Sequence, residues 1–133
     1  MKNEMKRINI NEWKQIYQQL KKKQNVWIAE IDGSKVSTWE DYAHEIEKVF
    51  RFPTPCDKSM DVYLDWIRDL SWLNAQEFVL VIRNYNSFLK NDLETKQEIV
   101  NDFDEYIFPW WEYEIAYCQV QGKPKKFNVY LVN

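Results

Sequence analysis

Glycine is nearly absent: two in 133 residues. A phosphate-cradling loop needs several glycines, so a glycine-rich nucleotide site is excluded. There is one histidine, His44, set among acidic residues with no cysteine or second histidine nearby. A Ser-His-Asp triad or a zinc site therefore has no foundation here. Cys56 and Cys118 stand far apart and form no CxxC pair, which fits a reducing cytoplasm better than a disulfide scaffold. The opening "MKNEMKRINI" lacks the apolar stretch of a signal peptide, and no run approaches membrane-spanning length. The expectation is a cytoplasmic protein without membrane association. No internal repeat and no low-complexity segment is present.

What the chain does have is aromatic mass: seven Trp, eight Tyr and seven Phe, 17% of the residues. That much ring surface in a chain of this length supports one domain with a real core and argues against disorder. The net charge of −3 conceals an asymmetry. Residues 1–24 hold seven Lys/Arg against two Asp/Glu, while residues 25–133 hold eleven against nineteen. An acidic body repels nucleic acid and attracts a basic partner.

Residues 11–24 repeat apolar groups at Trp13, Ile16, Tyr17 and Leu20, the spacing of an amphipathic helix. Lys21 to Lys23 suit its C-terminal end, where positive charge favours the helix dipole. Residues 1–24 are read as a helical extension docked on a body of residues 25–133. In that body "VWIAEI" (26–31) reads as a strand before the turn Asp32-Gly33. "STWE" (37–40) has the form of a capping box, with Ser37 as N-cap and Glu40 reaching back. The helix it opens ends at the prolines of "RFPTPCDKS". Ser59 caps the next helix. "FVLVIR" (78–83) is almost wholly apolar, as in a central parallel strand covered on at least one face. A helix follows over 92–107, kinked or restarted at Pro109, and "FNVYLV" (127–132) is a last strand. Strands separated by helices pair in parallel through right-handed crossovers. The fold class is α/β: a small three-stranded parallel sheet packed with helices, plus the N-terminal helix.

"MDVYLDWIRDLSWL" (60–73) places Asp61, Asp65 and Asp69 four residues apart in an apolar run. At about 100° per residue they form a narrow stripe joined by Arg68, with Tyr63, Trp66, Ile67 and Leu70 turned away. The stripe faces either water, with an internal Asp65–Arg68 pair, or a partner. Catalysis by paired carboxylates needs one acid buried and a cleft, and an exposed stripe provides neither. Nor can a helix wrap a hard divalent ion as a loop does. No catalytic residue, cofactor or metal is expected. "FPWWEYE" (108–114) is either core under a docked helix or a second contact surface.

"DVYLDWIRDLSWLNAQEFVLVIRNYNSFL" (61–89) resembles the central segment of the barstar family, bacterial inhibitors of barnase-type ribonucleases. "VWIAEIDGSKVSTWEDYAHEIEKVF" resembles that family's opening strand, glycine turn and first helix, and "FNVYLV" its closing strand. Residues 90–126 agree in element order only, and residues 1–24 fall outside. Ser59 stands where the family has Asn, and Asn74 replaces a usual Pro. The resemblance implies a helix and its preceding loop that plug a basic nuclease site, with Asp65 as the central phosphate mimic and Asp61 accessory. Asp57, Ser59, Leu64, Arg68 and Asp69 complete the expected contact set. The implied partner is a basic RNase-like protein toxin bound one to one by a protein that is monomeric when free. Leu64 stands where the prototype has Trp, and Pro55, Cys56 and Asp57 replace its Tyr-Tyr-Gly loop. With Arg68 adding a positive charge, these differences point to a toxin other than barnase itself. A barstar-like module with a non-nuclease partner is the alternative.

Overall fold

The computed structural model describes residues 2–133. Four parallel strands form one sheet in the order β1-β4-β3-β2: β1 Met5–Ile8, β2 Val26–Asp32, β3 Glu77–Arg83 and β4 Lys126–Val132. The expected count was three. The fourth, β1, lies in the N-terminal extension and pairs with β4 from Met5↔Val129 to Ile8↔Val132. Its sequence, Met-Lys-Arg-Ile, carries two charges in four residues, so nothing local marks it as a strand. Long-range pairing with β4 makes it one.

Helix α1 (Ile10–Lys21) follows at once, opened by a capping box in which Asn9 and Glu12 bond each other's backbone N–H. Trp13 and Leu20 are buried against Val79, Val81 and Val132, flanked by Ile16, Tyr17 and Tyr130. The other helices, α2 (Trp39–Phe50), α3 (Met60–Ile67), α4 (Leu93–Asp102) and α5 (Ile115–Cys118), belong to a larger core. That core takes Phe78, Leu80 and Ile82 from β3 and Phe127, Val129 and Leu131 from β4. Successive β3 residues thus enter opposite cores, and this is why "FVLVIR" shows no polar alternation.

Helix α2 is capped by Thr38, not Ser37. The Thr38 hydroxyl accepts from Asp41 N–H, and the Asp41 carboxylate accepts from the backbone of Ser37 and Thr38. The box sits one residue later than the S-x-x-E pattern suggested, and Glu40 is left exposed. Before it, the Asp32 carboxylate accepts from Asn84 and Ser34, which hold its pKa down to about 2. Gly33 is obligatory beside it, since a Cβ would lie 2.6 Å from the Arg83 carbonyl.

Pro109 does not restart the helix, one of the two outcomes expected there. The chain stays helical from Leu93 to Cys118 through two π-helical turns, Phe103–Ile107 and Trp110–Glu114. Phe108 N–H reaches Phe103 C=O, and Ile115 N–H reaches Trp110 C=O. The wider turns accommodate a residue without an N–H while keeping Phe103, Ile107, Trp111 and Ile115 on the core. In the centre Tyr42 and Tyr63 are wholly buried, and their hydroxyls satisfy each other at 2.7 Å. Burial pushes both phenols above their ordinary pKa.

Candidate functional site

Helix α3 is two turns long and amphipathic. Tyr63 and Ile67 enter the core while Asp61 and Asp65 are exposed, one turn apart. Ser59 is its N-cap, accepting from Val62 N–H at 3.4 Å, and Asp61 in the first turn favours the helix dipole.

The helix stops sooner than its periodicity implied. Arg68 is the C-cap, and Leu70 takes a left-handed conformation (φ 53°) without being glycine. Asp69 therefore lies in the turn beyond α3, not on the helical stripe. Its carboxylate accepts from Ser71 N–H at 3.1 Å. Leu70 tolerates the strained backbone because its side chain is buried in the core.

The Asp65 side chain is 74% exposed and pairs with the Arg68 guanidinium at 3.5 Å. Arg68 is more confined, at 30%. Its Nε donates to the Leu64 carbonyl at 3.1 Å, and its guanidinium lies over the Trp110 ring, 5.9 Å from the centroid. Asp65, Arg68, Asp69, Trp110 and Gln119 line a shallow depression of about 270 Å³. The two tryptophans of "FPWWEYE" thus divide their roles. Trp111 is core, its indole donating to the Ile67 carbonyl at 3.1 Å, whereas Trp110 is half-buried beside the acidic site.

The loop before α3, residues 51–59, is held at several points. Cys56 N–H donates to the Glu47 carboxylate at 2.7 Å. Trp39 donates to the Asp57 carbonyl at 2.8 Å and Trp66 to the Thr54 hydroxyl at 2.9 Å. The Cys56 thiol is buried, and burial with the nearby Glu47 carboxylate pushes its pKa up to about 12, so it is a packing group. Asp57 and Leu64 are half-buried, and Lys58 adds one exposed cation to the loop. The pinning residues Glu47, Trp39 and Trp66 were not among the sequence-derived candidates. For Trp39 and Trp66 the signal lay in the surplus of indoles, whose N–H usually finds an acceptor when buried; Glu47 carried none.

Among the described residues, no group of three or more His, Cys, Asp or Glu is arranged to hold a metal ion. Nor is any helix among them long and apolar enough to cross a membrane. His44 is exposed on α2. The arrangement offers exposed carboxylates on a short helix whose backbone and approach loop are braced.

Residues 26–131 match the sequence model of the family described as Barstar (barnase inhibitor). The chain belongs to the barstar family. No curated protein and no solved structure matched. The barstar match begins at the first residue of β2 and ends one residue before the end of β4. It takes in three of the four strands and all of the acidic site, leaving β1 and α1 outside.

Proposed function

We propose that this barstar-family protein is an inhibitor, or immunity protein, that occludes the basic active site of a ribonuclease-type toxin. The observation that carries the reading is the pair of exposed carboxylates, Asp61 and Asp65, one turn apart on a helix whose approach loop is pinned. A nuclease cleft must be cationic to hold RNA phosphates. Carboxylates presented from a braced backbone replace those phosphates at a reduced ordering cost. Asp65 is the central mimic and Asp61 its accessory. Asp57, Ser59, Leu64, Arg68 and Asp69 form the surrounding contact. The complex is one to one, formed in the bacterial cytoplasm by an inhibitor that is monomeric when free.

Arg68 favours a partner other than barnase. It ties up part of the Asp65 charge and presents a cation anchored on Trp110, so a matching toxin must offer an acceptor beside its own cations. A toxin delivered between competing bacteria fits this role.

The test is a pull-down from the source bacterium with tagged wild type and Asp65→Ala in parallel, followed by RNA-cleavage assays on whatever basic protein is captured. Asp65 makes no contact with the core, so its loss should weaken capture by about thirtyfold or more with the melting temperature unchanged. Equal capture by both forms would refute the acidic plug. A captured partner without nuclease activity would establish the alternative, an interaction module of the same fold.

A further inference from the structure

The acidic depression continues past the end of α3. The one beside Asp65, of about 270 Å³, adjoins a second of about 290 Å³, and Asp69 and Gln119 line both. One wall of the second is the turn after α3, with Asp69 and Ser71. The other is the loop of residues 119–125, with Lys123 and Lys125. The buried Trp111 and Ile115 also line it.

Both walls are held by the fold. The Asp69 carboxylate accepts from Ser71 N–H at 3.1 Å, and buried Leu70 anchors that turn in the core. Opposite, Gln119 N–H donates to the Ile115 carbonyl at 3.1 Å, and Lys125 N–H to the Trp111 carbonyl at 2.9 Å. Gly122 is one of only two glycines in the chain, and a Cβ there would overlap the Ile115 carbonyl. The Lys125 ammonium is occupied within the fold: it donates to the Ala75 carbonyl at 2.8 Å and lies 5.6 Å from the Phe78 ring centroid. Lys123 is different. It is exposed, and among the described residues no carboxylate lies within 4.0 Å of its ammonium. Gln76, Gln119 and Gln121, all exposed, line the same depression. The surface thus runs from Asp65 and Asp69 through uncharged amides to Lys123.

We propose that the two depressions form one groove for an extended segment of the partner protein, a cationic side chain seated at Asp65 and Asp69 and a carboxylate at Lys123. Glutamine amides carry both donors and an acceptor, so they suit the peptide groups of a chain lying between the two charges. Walls already held by the fold reduce the ordering cost of binding. The charge order fixes the direction in which the segment lies, because the reversed order sets like charges together. The groove rests on reading the Asp65 face as the docking surface. It adds that a basic partner must also carry an acid beyond its cation, with Lys123 selecting for it.

The experiment selects phage-displayed random linear peptides on the immobilised full chain, then titrates an enriched peptide, made synthetically, against the labelled protein by amide NMR. Enriched peptides should carry Arg or Lys and, further along, Asp or Glu, and should shift the signals of Asp69, Gln119, Gln121 and Lys123. Lys123→Glu should weaken the peptide about fivefold or more, and replacing the peptide's acid by Lys should restore binding to that variant. Lys14→Glu makes the same change of net charge on the exposed side of α1 and should leave binding unchanged. Both lysines are exposed, so overlay of the variants' spectra with wild type checks folding directly. No enrichment over a support without protein, shifts away from the groove, or equal binding by wild type and Lys123→Glu would each overturn the groove. Asp65→Ala in the pull-down reads the plug separately, so failure of the groove and failure of the plug can be told apart.

Discussion

Replacing Trp13 by alanine tests whether β1 and α1 are integral to the domain. Trp13 is 4% exposed and packs on Tyr130 and Tyr17 with ring centroids 5.6 and 5.7 Å away, above Val79, Val81 and Val132. A buried Trp removes about 150–250 Å² from water, worth about 4–6 kcal/mol at ~25 cal/mol/Å². Partial collapse of the void brings the expected loss to about 3–5 kcal/mol, the range of Trp-to-Ala changes in cores. Set against the 5–15 kcal/mol typical of a domain, that is a large share. Urea unfolding followed by far-UV circular dichroism reads the loss directly, and the melting temperature should fall by about 12–20 °C. Lys14→Ala, the exposed neighbour, should change stability by less than about 0.5 kcal/mol. A loss under about 1 kcal/mol for Trp13→Ala would refute the reasoning, and residues 26–133 would then carry the stability alone. If the reasoning holds, removing residues 1–24 exposes Val79 and Val81 and produces an aggregating chain.

Two further outcomes follow from buried polar groups. The Asp102 carboxyl is raised to about 6, by burial first and then by the charges of Glu98 and Glu105. A carboxyl that binds its proton more tightly folded than unfolded stabilises the fold below about pH 4 and loses that contribution as pH rises to about 6. Stability should therefore fall across that window by an amount on the order of 1 kcal/mol, and Asp102→Asn should abolish the fall. Urea midpoints at pH 4.5 and 7 check it, and an unchanged difference in the variant would contradict it. Tyr42→Phe strands the Tyr63 hydroxyl in the core and should cost about 1–3 kcal/mol, whereas Tyr42→Phe with Tyr63→Phe should cost less than the two single changes added together. Strict additivity in that cycle would show that the hydroxyl pair contributes nothing.

Residue patterns carried the body of the fold further than its edges. α2, α3, β3 and β4 were legible because each has a periodic or continuous apolar run bounded by caps, prolines or a turn. β1 was not, because its pairing comes from β4, more than a hundred residues away. Asp69 was assigned to the acidic stripe because neither glycine nor proline marks the end of α3. Leu70 makes that turn in a conformation its residue type disfavours, and only the surrounding core explains it. At Pro109 a kink and a restart were both open from the sequence, and the two π-helical turns that carry the helix through exclude the restart. The exposure of Asp61 and Asp65 was readable from helical spacing alone. The fixing of Arg68 on Trp110 was not, since it joins residues 42 apart in sequence.

The indole pins have a consequence for how this surface can diversify. Trp39 donates to the carbonyl of residue 57, Trp72 to that of residue 50 and Trp111 to that of residue 67. Every one of these acceptors is a peptide oxygen, which any amino acid supplies. Exposed side chains that make none of the frame's own bonds, Asp61 and Asp65 among them, can therefore be exchanged without loosening it, whereas Thr54, Cys56 and Ser59 cannot. The domain is a fixed mount whose exposed face can change one surface residue at a time.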